Sequence, residues 1–333
     1  MRNLFPESVS LSSPRWWVAA ALLAFFALVP VYAAVFDEGF YLTLFSRIMV
    51  MAIAAISLNL LIGYTGLVSF GHALYLGLGA YAAGIASFHG ITNGWLQLAL
   101  AVGAGLLISF VTGLIVLRTS GMAFIMITLA FAQMFFYLGI SLKQYGGDDG
   151  LRMDVRSLLA PFDMSSNTTL YYVIFAILVA ALYLSWRLVH SRFGYVLRGI
   201  RGNERRMKAV GFSTRRYKLV AYMVAATVAS VAGFLLANLT SYVSPSYGAW
   251  TVSGDLIVMV VLGGMGTILG PLVGALSLLL VEEWLASLTQ HWMAPLGLAI
   301  VLIVLTARRG IYGSFYDWAR RREESSAAKE ARR

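Results

Sequence analysis

The sequence predicts an all-α integral membrane protein: a bundle of about ten transmembrane helices with glycine-rich broken or hairpin segments. Three observations point there. Of 333 residues, 59% are hydrophobic and only 12% are charged, against roughly 45–50% and about 25% in soluble domains. The apolar residues gather into ten runs, each near the roughly 20 residues that one helical crossing of a bilayer needs. The positive charge is concentrated too: ten of the 25 Lys and Arg lie within 187–218 and eight within 308–333, both directly beside apolar runs. Clusters so placed follow the bias of cytoplasmic loops, which accounts for the net charge of +10 without nucleic acid as a partner.

Taken in order, residues 1–15 read as a cytoplasmic N-terminal tail and 16–36 as the first span. Val31-Tyr32-Ala33 would pass as a signal-peptidase site, but the run before it exceeds the roughly 7–15 apolar residues of a signal peptide. The next spans read as 48–64, 68–88, 95–117, 121–142 and 169–189, with Arg47 at the outer interface, where its guanidinium can snorkel. After the basic loop 190–217 come 218–241, 253–267, 271–288 and 292–307, closing a transmembrane unit over 16–307. A basic cytoplasmic C-terminal tail, 308–333, follows. A cytoplasmic N-terminus puts Asp37, Glu38 and the loop 143–168 outside, and Arg118 and 190–217 inside. Ten crossings then return the tail to the inside, as its charge requires. Aromatics near the span ends, such as Trp95, Tyr172, Trp250 and Trp284, suit interfacial belts.

The chain offers no catalytic set. It has no Cys, hence no thiolate nucleophile and no disulfide. His72, His89, His190 and His291 lack the spacing of a metal site, so no metal is expected. Thr251-Val252-Ser253-Gly254 resembles an intramembrane serine-protease motif without its leading Gly, and it opens a span, where Ser is an ordinary N-cap. No Lys follows a Gly as a phosphate-cradling loop requires, so ATP used in transport would be hydrolysed by another chain, and no cofactor is expected here. Asp255, Glu282 and Glu283 sit near span ends, which disfavours a proton relay at mid-membrane. Gln97, Gln133 and Asn238 could line a path, although an isolated amide in a span is more often a helix–helix hydrogen-bonding group. A stand-alone secondary transporter and an intramembrane enzyme remain rival classes at this point.

Two glycine-rich reversals stand out. Residues 59–72 carry Gly63, Gly66 and Gly71 among Asn59, Thr65, Ser69 and His72, and 263–271 carry Gly263, Gly264, Gly266 and Gly270 before Pro271. Glycine permits the backbone angles of a tight reversal, and non-helical backbone at membrane depth must be buried in protein or line a wet cavity. Both reversals fall on the cytoplasmic side of the expected topology. Asn59, Thr65, Ser69 and His72 are therefore the candidates for lining a substrate path. After the first reversal Ala73, Gly77, Ala80 and Gly84 align on one helix face, where another helix can pack closely.

The run N-L-L-I-G-Y-T-G-L-V-S-F-G-H-A-L-Y-L-G-L-G-A-Y over 59–81 resembles the signature region of permease subunits of branched-chain amino acid ABC importers. Four further runs agree in order: 127–133, 146–151, the basic segment 193–218, and 263–275. The resemblance covers most of 48–308, with departures at Leu67 and at Thr119-Ser120-Gly121-Met122. It implies an inner-membrane importer subunit that moves a hydrophobic amino acid by alternating access. It also implies a second related permease, two ATP-binding-cassette subunits that hydrolyse the ATP, and an extracytoplasmic substrate-binding protein as partners. A related importer of urea or short amides shares the signatures. Residues 198–211 resemble the family's coupling loop, which docks on the ATPase, and the positions carried over are Arg198, Arg201, Asn203, Glu204, Ala209 and Gly211. The local chemistry agrees with a short helix there: Asn203 can cap it, Glu204 favours its first turn, and Gly211 can follow its end.

Overall fold

The computed structural model describes residues 14–36, 39–159, 164–306 and 310–313. All but two residues of the expected N-terminal tail 1–15 and nearly all of the basic C-terminal tail lie outside these residues; Pro14 and Arg15 open the first helix. Eleven α-helices make up the described chain: α1 (Pro14–Phe36), α2 (Gly39–Thr65), α3 (Ala73–Phe88), α4 (Gly94–Val116), α5 (Met122–Ser141), α6 (Asn167–His190), α7 (Arg192–Ala209), α8 (Thr214–Thr240), α9 (Trp250–Gly263), α10 (Gly270–Leu288) and α11 (Met293–Thr306). Each of the ten apolar runs contains one helix, and the basic segment between α6 and α8 adds the eleventh.

Six of them, α2, α4, α5, α6, α8 and α10, are long and apolar enough to cross a membrane. The expectation of ten full crossings is thus not established by helix length. The reason is plainest at the reversals. Residues 68–72 and 264–267 are apolar enough to extend a hydropathy run, yet they are not helical. This leaves α3 with 16 residues and α9 with 14, or about 24 and 21 Å at 1.5 Å per residue, short of a hydrocarbon core of about 30 Å. In the other direction α2 begins nine residues before the expected span. It carries Arg47 within the helix, where the guanidinium pairs with Glu282 of α10 at 3.5 Å.

The core forms around α2, which is buried almost from end to end and packs against α6, α8, α9 and α10. Alongside it α3, α4 and α8 pack on one another. The approach of α3 to α8 is set by missing side chains, because a Cβ on Gly79 would overlap the Ser230 carbonyl and one on Gly233 the Leu76 carbonyl. Backbones this close gain dispersion contacts that larger residues would prevent. The small-residue face read from the sequence meets helices at Ala73 and Ala80 but not at its two glycines. Gly77 lies against Gly248 of the 3-10 turn Pro245–Gly248, and Gly84 lies against Val243. Val243 belongs to a two-residue strand, Tyr242–Val243, which pairs antiparallel with Leu151–Arg152. Ser157, between that strand and α6, is held by Gln97 and by Asn238, whose Oδ1 accepts its N–H at 2.9 Å. Gln97 and Asn238 therefore act as glue between elements, as isolated amides in spans usually do.

Candidate functional site

The site is built where the two glycine reversals meet. Helix α2 ends at Gly66, whose φ of +76° is open to glycine at little cost, and the Leu67 N–H returns to the Leu61 carbonyl at 3.3 Å. The second reversal turns at Gly264 and Gly266, the latter with φ of +78°. A Cβ on Gly263 would overlap the Gly270 carbonyl, so α9 and α10 cross in backbone contact just before the turn. Gly270 is equally hemmed in by Thr267 and Gly264.

Asn59 joins the two reversals. Its Oδ1 accepts the Gly266 N–H at 2.9 Å and its Nδ2 donates to the Thr267 carbonyl at 2.8 Å, so one amide side chain satisfies both polar groups of the turn. Gly63, one turn later on α2, leaves the room that this needs: a Cβ there would lie 2.6 Å from the Gly266 nitrogen. The Gly63 carbonyl sits in the last turn of α2, where the helix supplies no N–H donor for it. Arg201 of α7 donates to it through Nη1. The same guanidinium lies beside Gly266, and the Arg201 stem lies beside Gly66. Three glycines thus form a cup for one arginine from the basic segment.

That segment has the caps expected of it. Asn203 breaks α7 with φ of −159° and ψ of 100°, and its Oδ1 accepts the Arg206 N–H at 2.9 Å, capping a second short stretch, 204–209. Ala209 closes that stretch, and Gly211 follows with φ of +96°. Arg198 donates to the Val189 carbonyl at 3.1 Å and stacks over the Tyr195 ring at 4.5 Å, which ties the first half of α7 to the end of α6. Glu204 is turned toward its own chain. It pairs with Lys218 at 2.6 Å and Lys208 at 3.1 Å, and accepts from Thr214 at 3.1 Å. Burial by itself raises the Glu204 carboxyl, but hydrogen bonds from Lys218, Lys208 and Thr214 outweigh it and hold the pKa down at about 2.

Of the path candidates, all four are buried. His72 pairs through Nε2 with Ser57 of α2 at 2.7 Å; Ser69 accepts the Gly71 N–H at 3.3 Å; Thr65 donates back to the Leu61 carbonyl at 2.7 Å. Asn59 spans the reversals as described. A Cβ on Gly71 would overlap the Thr128 carbonyl of α5.

The sequence reading missed the groups that hold the first reversal from neighbouring helices. Thr128 Oγ1 accepts the Phe70 N–H at 3.2 Å, and Ser253 of α9 accepts the Ala73 N–H at 2.9 Å. Ser253 is therefore inside α9, and the residue at the N-cap is Ala249, contrary to the expectation of an ordinary N-cap serine. Tyr75 OH lies 2.8 Å from both Thr112 of α4 and Tyr222 of α8. Each is a single hydroxyl in an apolar run, and nothing in the sequence says which partner it meets. Among the described residues no group of three or more His, Asp or Glu is placed to hold a metal ion.

Comparisons with known proteins point to one family. Residues 40–307 match the family model described as "Branched-chain amino acid transport system / permease component". The chain is 25% identical over 287 residues to the high-affinity branched-chain amino acid transport system permease protein LivM of Escherichia coli K12, covering 79% of this chain and 68% of that one. To LivH of the same organism it is 24% identical over 280 residues, covering 79% and 91%. The ribose import permease protein RbsC of E. coli K12 is 29% identical over 241 residues, covering 69% and 72%. No solved structure matches.

Proposed function

Because this chain belongs to the family of permease components of branched-chain amino acid transport systems, we propose that it is a membrane-spanning subunit of an ATP-driven importer for branched-chain or other hydrophobic amino acids. Substrate moves inward by alternating access. A second related permease completes the membrane part, two ATPase subunits supply the energy, and an extracytoplasmic binding protein delivers the substrate. The chain resides in the inner membrane with both termini in the cytoplasm.

The observation that carries this reading is the link from α7 through Arg201 to the interlocked reversals. Rigid movement of α7 by a partner on the cytoplasmic face would pull on the end of α2 and, through Asn59, on the turn between α9 and α10. Tightly packed elements of this kind move between discrete arrangements and do not deform continuously. Polar groups at Ser57, Ser69 and His72 lie immediately behind the first reversal and would become path-lining when it shifts. The LivM and LivH relatives cover more of this chain than the ribose permease does, which favours an amino acid over a sugar.

Reconstitution tests the reading. The chain purified in mild detergent with its co-purifying subunits, placed in liposomes with the binding protein, should hydrolyse ATP faster with leucine, isoleucine or valine than with ribose or urea. It should accumulate the same amino acid. Leucine uptake by the chain alone, driven by an ion gradient without ATP, would instead identify a secondary transporter.

A further inference from the structure

A groove of about 570 Å3 opens where the end of α4 meets the last turn of α7 and the first turn of α8. Arg118, Lys208, Arg215 and Arg216 ring it, and Leu114 and Phe212 give it an apolar wall. The acid beside it is Glu204, whose two oxygens are already taken by Lys208, Lys218 and Thr214. Arg215 is held in place by donating to the Leu114 carbonyl at 2.8 Å. Among the described residues the guanidinium groups of Arg118 and Arg216 have neither a hydrogen bond nor an ion pair, so the groove has an uncompensated positive charge. It also runs into a strip of exposed apolar side chains along α4: Leu107 is 64% exposed, Val111 48% and Phe110 44%. On a helix apolar enough to cross a membrane, such a strip faces hydrocarbon.

A cationic head site continuous with a lipid-facing strip suits a ligand with an anionic head and long apolar chains. We propose that this groove is a binding site for an anionic phospholipid, with its phosphate between Arg118 and Arg216 and its acyl chains along α4. A free anion would use the head site and leave the strip without a role. An acidic protein surface would meet the same charge, but it would not reach down an apolar face inside the bilayer. The proposal depends on the membrane placement of α4 and not on which substrate the importer carries.

Native mass spectrometry of the detergent-purified chain, titrated with phosphatidylglycerol or phosphatidylcholine, tests it. The chain should bind phosphatidylglycerol selectively. Arg118→Gln with Arg216→Gln should weaken that binding about thirty-fold, the combined effect of two basic residues at an anionic lipid surface. Arg205→Gln with Arg206→Gln, equally basic and outside the groove, should bind as the unaltered chain does. Arg118→Lys with Arg216→Lys, which keeps the charge, should retain most of the binding. The proposal is overturned by any of three results. Inorganic phosphate at millimolar concentration could displace the lipid, which would make this a free-anion site. Both glutamine pairs could lose lipid alike, which would mean diffuse surface charge. The groove pair could keep its lipid and lose the co-purifying ATPase, which would make the groove a protein dock.

Discussion

Replacing Arg201 with Ala cuts its hydrogen bond from α7 to the glycine reversals. The bond is charge-assisted and ends on a carbonyl that α2 cannot satisfy itself. Hydrogen bonds to charged groups contribute about 1.5–3 kcal/mol. Arg201 is exposed overall, so the low end, about 1.5–2 kcal/mol, is appropriate. A cation at the end of α2 adds a few tenths to about 1 kcal/mol at most through the helix dipole. That total is too small to unfold a bundle with a core this extensive. The hydrogen bond alone is enough to shift a two-state equilibrium by about tenfold to thirtyfold. In liposomes with the partner subunits, Arg201→Ala should therefore reach the membrane normally and keep ATP hydrolysis within about twofold. Amino acid taken up per ATP should fall about tenfold. Arg201→Lys, with a shorter reach but the same charge, should recover part of the coupling. Unchanged uptake per ATP in Arg201→Ala would refute the link. So would parallel loss of uptake, ATP hydrolysis and subunit co-purification, which would make Arg201 a docking residue and nothing more.

Two further predictions concern the same region. Glu204 titrates near 2 when folded, below its ordinary value of 4.5, so its contribution is present above about pH 4.5 and fades as the pH falls toward 2. Its side chain is 33% exposed while that of Lys218 is only 12% exposed. With screening allowed for, Glu204→Gln should cost about 1–2 kcal/mol at neutral pH, more than a first-turn acid contributes through the dipole alone. Hydrogen exchange over 204–218, corrected for intrinsic rates, should accelerate in the variant at pH 7. It should differ little from the unaltered chain near pH 2.5, and equal protection at pH 7 would count against the ion-pair cluster. Among the glycines, Gly71→Leu and Gly66→Leu should impair uptake more than Gly84→Leu. The first meets the Thr128 backbone, and the second forces a positive φ at about 1–2 kcal/mol. At Gly84 the neighbours are the movable side chains of Val243 and Leu151. Equal losses at all three, normalised to membrane expression, would assign these glycines to ordinary helix packing.

The sequence by itself determined the membrane class, the ten apolar helices, the break in the chain at each glycine cluster and the caps of the basic segment. These are local properties. Hydropathy depends on composition over a window of about 20 residues, and Asn203 and Gly211 act on neighbours within one turn. Only the tertiary structure decided what the polar residues touch. Asn59 reaches Gly266 and Thr267, Arg201 reaches Gly63, and Ser253 reaches Ala73, pairs separated by more than a hundred residues. No periodicity in the sequence encodes such pairs, since each is one isolated polar side chain in an apolar run. Glu204 shows the same limit: the charge and the cap position were legible, but its direction toward Lys218 depends on where α8 begins relative to α7. Helix length was also decided by the fold, because an apolar turn and an apolar helix have the same hydropathy. What separates them at 66–72 and 264–269 is that the glycines there must let one backbone pass against another, and that contact exists only once α2, α9 and α10 have packed.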